Sequence, residues 1–320
     1  MKSLTDSSSL ITERLTGQAA GQKFPTCYVL TGEETEKKKK IAVDFAKSLN
    51  CQKKKWSESC DCESCRKVDS GNHPDVRWYG LDEEERSIKI ETVRDLQNWL
   101  HLRPYEGKVK VFILNDAGRL TTEAQNALLK SLEEPPANSV LILLAEKRSE
   151  LLDTVISRLV HIKVPPYQER ELVQVLSKEG MDPNEAQFLA RFSSGNLKYA
   201  RSLSGTGFKR KNEIIKILVN DPVSGFDRLN LKSKKEATEC LTFLAAFVRD
   251  ACALYSEANQ NLLVHEDRLK DLQAFLCSKP IESLFELYDD LEETRQAIEN
   301  NINQKLALAR LQVIWNEFLG

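Results

Sequence analysis

TCYVLTGEETEKKKKI, Thr26 to Ile41, has the layout of a strand, a phosphate loop and a helix, but not the chemistry of one. The apolar run Cys27 to Leu30 predicts a buried strand, Gly32 opens a loop, and Ile41, Phe45 and Leu49 then recur at helical spacing from Lys37 to Asn50. A working phosphate loop runs Gly, four residues, Gly-Lys-Ser/Thr. Its bare amides wrap the phosphates, its Lys reaches the outer ones and its hydroxyl holds magnesium. Here Lys37 replaces the second Gly and Lys39 the hydroxyl residue, so only Gly32 and Lys38 fall in register. Glu33, Glu34 and Glu36 put negative charge where a triphosphate would lie. The stretch fixes an α/β beginning and argues against a functional nucleotide site.

The 320 residues exceed one comfortable core, which predicts two or three domains. Lys plus Arg (46) nearly balance Asp plus Glu (48), so no global field draws the chain to nucleic acid or membrane. No apolar run approaches the roughly 20 residues of a spanning helix, and the polar N-terminus lacks a signal-peptide core, which predicts a cytoplasmic protein with no membrane partner. Four of the eight Cys, namely Cys51, Cys60, Cys62 and Cys65, crowd together, while Cys27, Cys240, Cys252 and Cys277 are scattered in apolar contexts. In a reducing compartment the cluster suggests metal and the others packing.

Outward from the opening stretch, residues 1 to 25 predict one short helix with Leu10, Ile11 and Leu15 on a face. After the Lys37 to Asn50 helix comes an inserted Cys segment at 51–65, a helical stub at Arg66 to Val68 and the turn SGNHPD. Asp75 to Gly80 predicts a strand, Asp82 to Arg86 an acidic loop, and Thr92 to Leu102 an amphipathic helix with Val93, Leu96, Trp99 and Leu100 inward. KVKVFILN, Lys108 to Asn115, is apolar enough for the middle of a parallel sheet. Thr122 and Gln125 fit a capping box for a helix that Pro135 and Pro136 stop. Ser139 to Ala145 and Leu159 to Val164 supply two more strands, separated by a short helix around Leu151 to Ile156. This rhythm specifies a doubly wound α/β core over 1–165 with helices on both faces. Beyond Pro165-Pro166 every segment predicts helix: a three-helix domain over 166–205, then helices over 206–320. The apolar face Leu241, Leu244, Ala245 and Val248 suits either a bundle interior or another subunit.

The Cys cluster is the strongest chemical signal. Its four thiolates can wrap a tetrahedral Zn²⁺ in a closed structural site, the alternative being a set of free thiols, and Cys60-Asp61-Cys62 is tighter than the usual two-residue spacing. His73, in His-Pro-Asp, is expected in a turn. At the end of the Val109 to Asn115 strand, where nucleotide hydrolases place an acidic pair, the chain has Asn115-Asp116. Asn lacks the charge to hold the metal's water shell, and Asp is a methylene shorter than the Glu that orients attacking water. Two failures at matching positions of one scaffold indicate a pseudo-ATPase. Arg158 sits at the mouth of the last strand, where an Arg can reach a phosphate on a neighbouring subunit; a solvated Arg is the plainer reading. The lysines at 37–40 and 53–55 lack interleaved aromatics for base stacking and are expected to be mainly solvated, and the near-neutral charge disfavours an unrelated DNA-binding module.

The order of these pieces resembles the bacterial DNA polymerase III clamp-loader subunits of the AAA+ class, their delta-prime-like branch most closely. The resemblance rests on the loop at Gly32, the Cys cluster, His73-Pro74-Asp75, Ile90-Glu91-Thr92-Val93-Arg94, Leu102-Arg103-Pro104-Tyr105-Glu106-Gly107 and Ser157-Arg158. Its most specific motif is NALLKSLEEPP, Asn126 to Pro136, and Asn301 to Leu308 is similar to the end of the family's collar.

The resemblance implies an AAA+ core with a zinc module, a helical lid and a helical collar that joins a five-subunit ring. The ring's partners would be motor subunits, a clamp-opening subunit, the sliding clamp and primer-template DNA. Delta-prime-like members bind no productive ATP or Mg²⁺ and act as a stator, and their Ser-Arg-Cys motif offers an Arg to the ATP of the adjacent motor subunit. Here Arg158 is kept and Leu159 replaces the Cys, while Lys198 takes the place of the lid Arg that contacts nucleotide in active members. The alternative within the family is an ATP-hydrolysing motor subunit of gamma/tau type.

Overall fold

A computed structural model describes residues 11–12, 14–15, 25–53, 56–81, 85–220, 225–257, 262–276 and 279–319. The chain divides into two compact units, the first ending at Gln168 and the second starting at Glu169.

The first unit is built on five parallel strands, β1 (Cys27–Thr31), β2 (Val76–Tyr79), β3 (Lys110–Leu114), β4 (Ser139–Ala145) and β5 (Val160–Lys163), in the order β2-β3-β4-β1-β5. β1, β3 and β4 are buried along their whole length, as expected where helices cover both faces of a sheet. Alternate strand residues feed two cores. Val29, Phe112, Leu114, Leu141 and Leu143 pack with the Ile90–Leu100 and Thr122–Glu133 helices. Tyr28, Leu30, Val111, Ile113 and Ile142 pack with Ile41, Phe45 and Leu49 of the Thr35–Asn50 helix. This is the expected α/β core. From β1 the chain crosses to the β2 edge, and from β4 it crosses over β1 to the β5 edge. The loops that leave β1 and β4 therefore part at the carboxyl ends of the strands, where such a sheet opens its binding crevice.

The described residues of the second unit are all helix and connections. The helices are Glu169–Lys178, Pro183–Phe192, Leu197–Leu203, Gly207–Asn220, Gly225–Arg228, Lys234–Tyr255, Leu269–Leu276, Ile281–Glu299 and Gln304–Leu319. Leu241, Leu244, Ala245 and Val248 are all buried within this unit, so that face is bundle interior. Ser204 to Thr206 forms a turn in which the Gly205 amide donates to Glu185 (2.6 Å). No helix among the described residues is long and apolar enough to cross a membrane.

Several local expectations shift. The first helix starts at Thr35 rather than Lys37. The stub at Arg66 to Val68 is a full helix, Glu63–Asp69, with Cys62 at its N-cap. Thr121, not Thr122, caps the Thr122–Glu133 helix, its hydroxyl accepting from the Ala124 amide (3.2 Å). Gln125 is buried instead of completing a box: it accepts from the Leu152 amide (2.7 Å) and donates to the carbonyls of Leu120 and Glu150. Ile11, Thr12, Arg14 and Leu15 are helical as expected, whereas Leu10, Lys54, Lys55, Asp82 to Glu84 and Cys277 lie outside the described residues.

Candidate functional site

A cleft of about 420 Å³ opens at the crevice, lined among others by Lys38, Asn115, Asp116, Arg119, Glu146 and Glu150. Only Gly32, Glu33 and Glu34 separate β1 from the helix at Thr35, too short a loop to wrap a phosphate in bare amides. The Lys38 amide is already tied to the Glu34 carbonyl (3.0 Å) as a helical bond. Gly32 is explained without a ligand. Its φ is +146°, and a Cβ there would stand 2.4 Å from the carbonyl oxygen of Val164 just past β5, so only a glycine lets the chain pass.

Lys38 is buried, and its ammonium donates to the carbonyls of Gly32 (2.6 Å) and Ala145 (2.7 Å). It spans the ends of β1 and β4, serving groups of its own chain. Burial pulls its pKa below the usual lysine range, against the pull of Glu146, Glu150, Asp116 and Glu34. The Asn115 side-chain nitrogen Nδ2 donates to the Asp116 carboxylate (2.9 Å), and Asp116 has a left-handed φ of +54°. Three carboxylates, Asp116, Glu146 and Glu150, thus face two cations in the cleft, one of them already engaged. The cleft lining carries one more carboxylate than cations.

The lysine run is not the solvated patch expected. Lys37 is buried, its ammonium donating to the Pro166 carbonyl (3.2 Å) and lying 4.8 Å from the Tyr167 ring centroid. Lys39 pairs with Glu36 (3.5 Å), Lys40 with Asp44 (2.8 Å) and Glu58 (3.3 Å), and Lys53 with Asp61 (2.9 Å). Lys39 does not join the cleft lining, and Lys198 stands exposed in the second unit, on the Leu197–Leu203 helix.

Arg158 follows the short Asp153–Ile156 helix and is partly exposed. One carboxylate oxygen of Glu133 accepts from its Nε (2.9 Å) and lies 2.6 Å from Nη2 as an ion pair, while Nη1 donates to the Thr154 carbonyl (2.9 Å) and the Ser157 hydroxyl (3.2 Å).

The thiols of Cys51, Cys60, Cys62 and Cys65 all lie within 4.8 Å of one another, with Cys51 3.6 Å from Cys60 and 4.0 Å from Cys62. A tetrahedron of ~2.3 Å zinc–sulfur bonds has edges of about 3.8 Å, so the donor set fits Zn²⁺ despite the tight Cys60-Asp61-Cys62 spacing. The Lys53 amide donates to the Cys51 sulfur (3.4 Å). At Cys62 desolvation raises the pKa, but the Cys65 and Gln52 amides outweigh it and bring the thiol to about 6; burial pushes Cys65 well up. Cys27, Cys240 and Cys252 are buried free thiols, as their apolar contexts predict.

Comparison with known proteins places the chain in a family. A sequence model of the family described as DNA polymerase III, delta subunit, matches residues 8–168, and one for the C-terminal part of that subunit matches 208–317. The chain belongs to the DNA polymerase III delta-subunit family. Within it the chain is delta-prime-like. It is similar to DNA polymerase III subunit delta' of Bacillus subtilis, at 25% identity over 91% of this chain and 90% of the relative. It is also similar to subunit delta' of Escherichia coli, at 30% identity over 68% of this chain and 66% of the relative. Against subunit tau of Escherichia coli the identity is 32%, over 55% of this chain but only 28% of that longer protein.

In this delta-prime-like chain, two motifs that sequence reading left without a physical role prove to be a joint between the Cys module and the sheet. Asp75 accepts from the amides of Tyr105 (2.8 Å), Glu106 (2.9 Å) and Gly107 (2.7 Å), and from the Lys110 ammonium (3.3 Å). Desolvation raises its pKa, but those amides and Lys110 win and hold it below the usual carboxylate range. Asn50 accepts from the amides of Lys108 (2.8 Å) and Val109 (3.0 Å) and donates to the Val109 carbonyl (2.9 Å). A Cβ at Gly107 would stand 2.5 Å from the Asn50 side-chain oxygen, which accounts for glycine there. His73 Nδ1 accepts from the Asp75 amide (3.1 Å), so its proton is on Nε2, which faces the Ser64 hydroxyl (3.2 Å); Ser64 donates on to the Asn50 carbonyl (2.8 Å). His73 is thus in the turn expected of it and bonds outside the Cys cluster. The spacing from Asn50 to Val109 hid this joint from a reading confined to local windows.

Proposed function

We propose that this chain is a non-hydrolysing stator of the DNA polymerase III clamp loader. In this reading it helps load the sliding clamp on primer-template DNA in the cytoplasm and presents Arg158 to the ATP site of a neighbouring motor subunit. The observation that carries the reading is the Lys38 ammonium, spent on the Gly32 and Ala145 carbonyls inside a cleft where carboxylates outnumber cations. A site so arranged serves as scaffold, and the exposed Arg158 is left as the residue able to act on another subunit's nucleotide. Residues 1–165 form the core, 166–205 the lid and 206–320 the collar, through which the chain joins a five-subunit ring with motor subunits and a clamp-opening subunit. Structural Zn²⁺ is held by Cys51, Cys60, Cys62 and Cys65.

The test mixes this chain with the motor and clamp-opening subunits of the same organism, then measures complex mass and DNA-stimulated ATPase. The expected outcome is a ring of defined mass whose turnover collapses with Arg158→Ala while assembly persists. Unchanged turnover would sink the trans role. Tight Mg-ATP binding by the isolated chain in calorimetry would instead favour a motor subunit.

A further inference from the structure

We infer that Glu133 is a positioning residue for Arg158, holding its guanidinium rigid and presented before any neighbour docks; this rests on the trans role of Arg158. An exposed Arg gains little from a single ion pair, because ordering the long side chain offsets a screened attraction. Arg158 is held more firmly than that, by acceptors from two different elements. Glu133 ends the Thr122–Glu133 helix and takes the Nε and Nη2 edge with one oxygen. Thr154 and Ser157, of the segment that carries Arg158, take Nη1.

A guanidinium has five N–H donors in a fixed fork. Nε–H goes to Glu133, which also pairs with Nη2 through charge, and the Nη1 hydrogens go to Thr154 and Ser157. Nη2 keeps its hydrogens, on an exposed side chain, for an outward contact with an anionic oxygen. Geometry fixed in advance is what a transition-state contact needs, since a displaced partner loses rate even when affinity is kept. Removing the carboxylate frees the Nε edge and lets the side chain swing about its remaining Nη1 bonds. Glu133 also bears the like charge of a phosphate, so an alternative assigns it the opposite sign of effect, competition for Arg158. The two are separable by experiment.

The experiment is DNA-stimulated ATPase of the reconstituted ring carrying Glu133→Ala, Glu133→Gln, Arg158→Ala or the Glu133→Ala/Arg158→Ala pair, with assembly and thermal midpoint measured on each. Glu133→Ala is expected to lower kcat about 5- to 10-fold with KM for ATP and midpoint unchanged. Glu133→Gln, which keeps an oxygen for Nε–H, should recover most of the rate. The double variant should match Arg158→Ala alone. Wild-type or raised kcat in Glu133→Ala, beside a collapsed Arg158→Ala, overturns the positioning role and leaves the trans role standing. Wild-type kcat in Arg158→Ala overturns both.

Discussion

The ammonium of Lys38 lies 2.7 Å from the carbonyl oxygen of Ala145, the last residue of β4. The lysine that aligns with the phosphate-binding position thus joins two strand ends of its own sheet. Lys38→Met keeps most of the side-chain volume and strands the Ala145 and Gly32 carbonyls. Each unpaired buried polar group costs on the order of 1–3 kcal/mol; with one carbonyl near solvent, the loss should be about 2 kcal/mol. Urea denaturation of the isolated chain measures it, and calorimetry should find no Mg-ATP binding before or after the change. A variant as stable as the parent, or a parent that binds Mg-ATP through Lys38, would contradict the strut.

What was legible in the sequence is what depends on local pattern. KVKVFILN read as a central strand because only a strand covered on both faces can be apolar throughout, and it is β3. The thiol cluster was legible because ligand count does not depend on the fold around it. Lys37 and Lys38 were not: a lysine's default is solvent, and the carbonyls that bury them come from Gly32, Ala145 and Pro166, two of the three more than a hundred residues away. The face of Leu241 and Val248 was legible as apolar, but only the packed helices show that it faces inward. Thr121 and Thr122 offer the same hydroxyl one residue apart, a choice settled by where the backbone turns.

Asp75→Asn tests the joint and has a pH signature. The folded pKa of Asp75 lies below its unfolded value, so its contribution is fully present above the unfolded value, near 4, and is lost as pH falls through the folded pKa. An Asn turns an N–H₂ toward amides that are themselves donors. The expected cost is about 2 kcal/mol at pH 7, shrinking as the parent's carboxylate is protonated below about pH 4. Unfolding curves of both proteins at pH 7 and pH 3 give the comparison; a gap that stays constant, or widens in acid, would show that the charge of Asp75 is not what the Tyr105 to Gly107 amides require.

Metal removal should act on the Cys module first. One zinc per chain is expected by mass spectrometry of the purified protein, released by a strong chelator and by a thiol-modifying reagent. Without the cation the sulfurs 3.6 Å and 4.0 Å apart lose the bonds that hold them together, and the insertion has little apolar core beyond the partly buried Trp56. The thermal midpoint should therefore fall and proteolysis between 51 and 65 should rise, while circular dichroism of the sheet and bundle changes little. A protein that purifies without metal and loses nothing to chelation would mean free thiols.

The last helix bears on assembly. Leu311 and Trp315 of Gln304–Leu319 are buried in the bundle, while Leu306 (69% exposed) and Val313 (56%) stand seven residues apart on another face, with Ala309 between them also exposed. Single exposed apolar residues are ordinary, but a stripe at helical spacing on a proposed collar suits a neighbouring subunit. Leu306→Asp removes no buried contact and puts a charge on the stripe, so the isolated chain should keep its stability within about 0.5 kcal/mol. Mixed with motor and clamp-opening subunits it should fail to reach full ring mass in light scattering, because an unpaired carboxylate in an apolar contact is costly. Full-mass rings from Leu306→Asp would place the collar contact on a different face of the bundle.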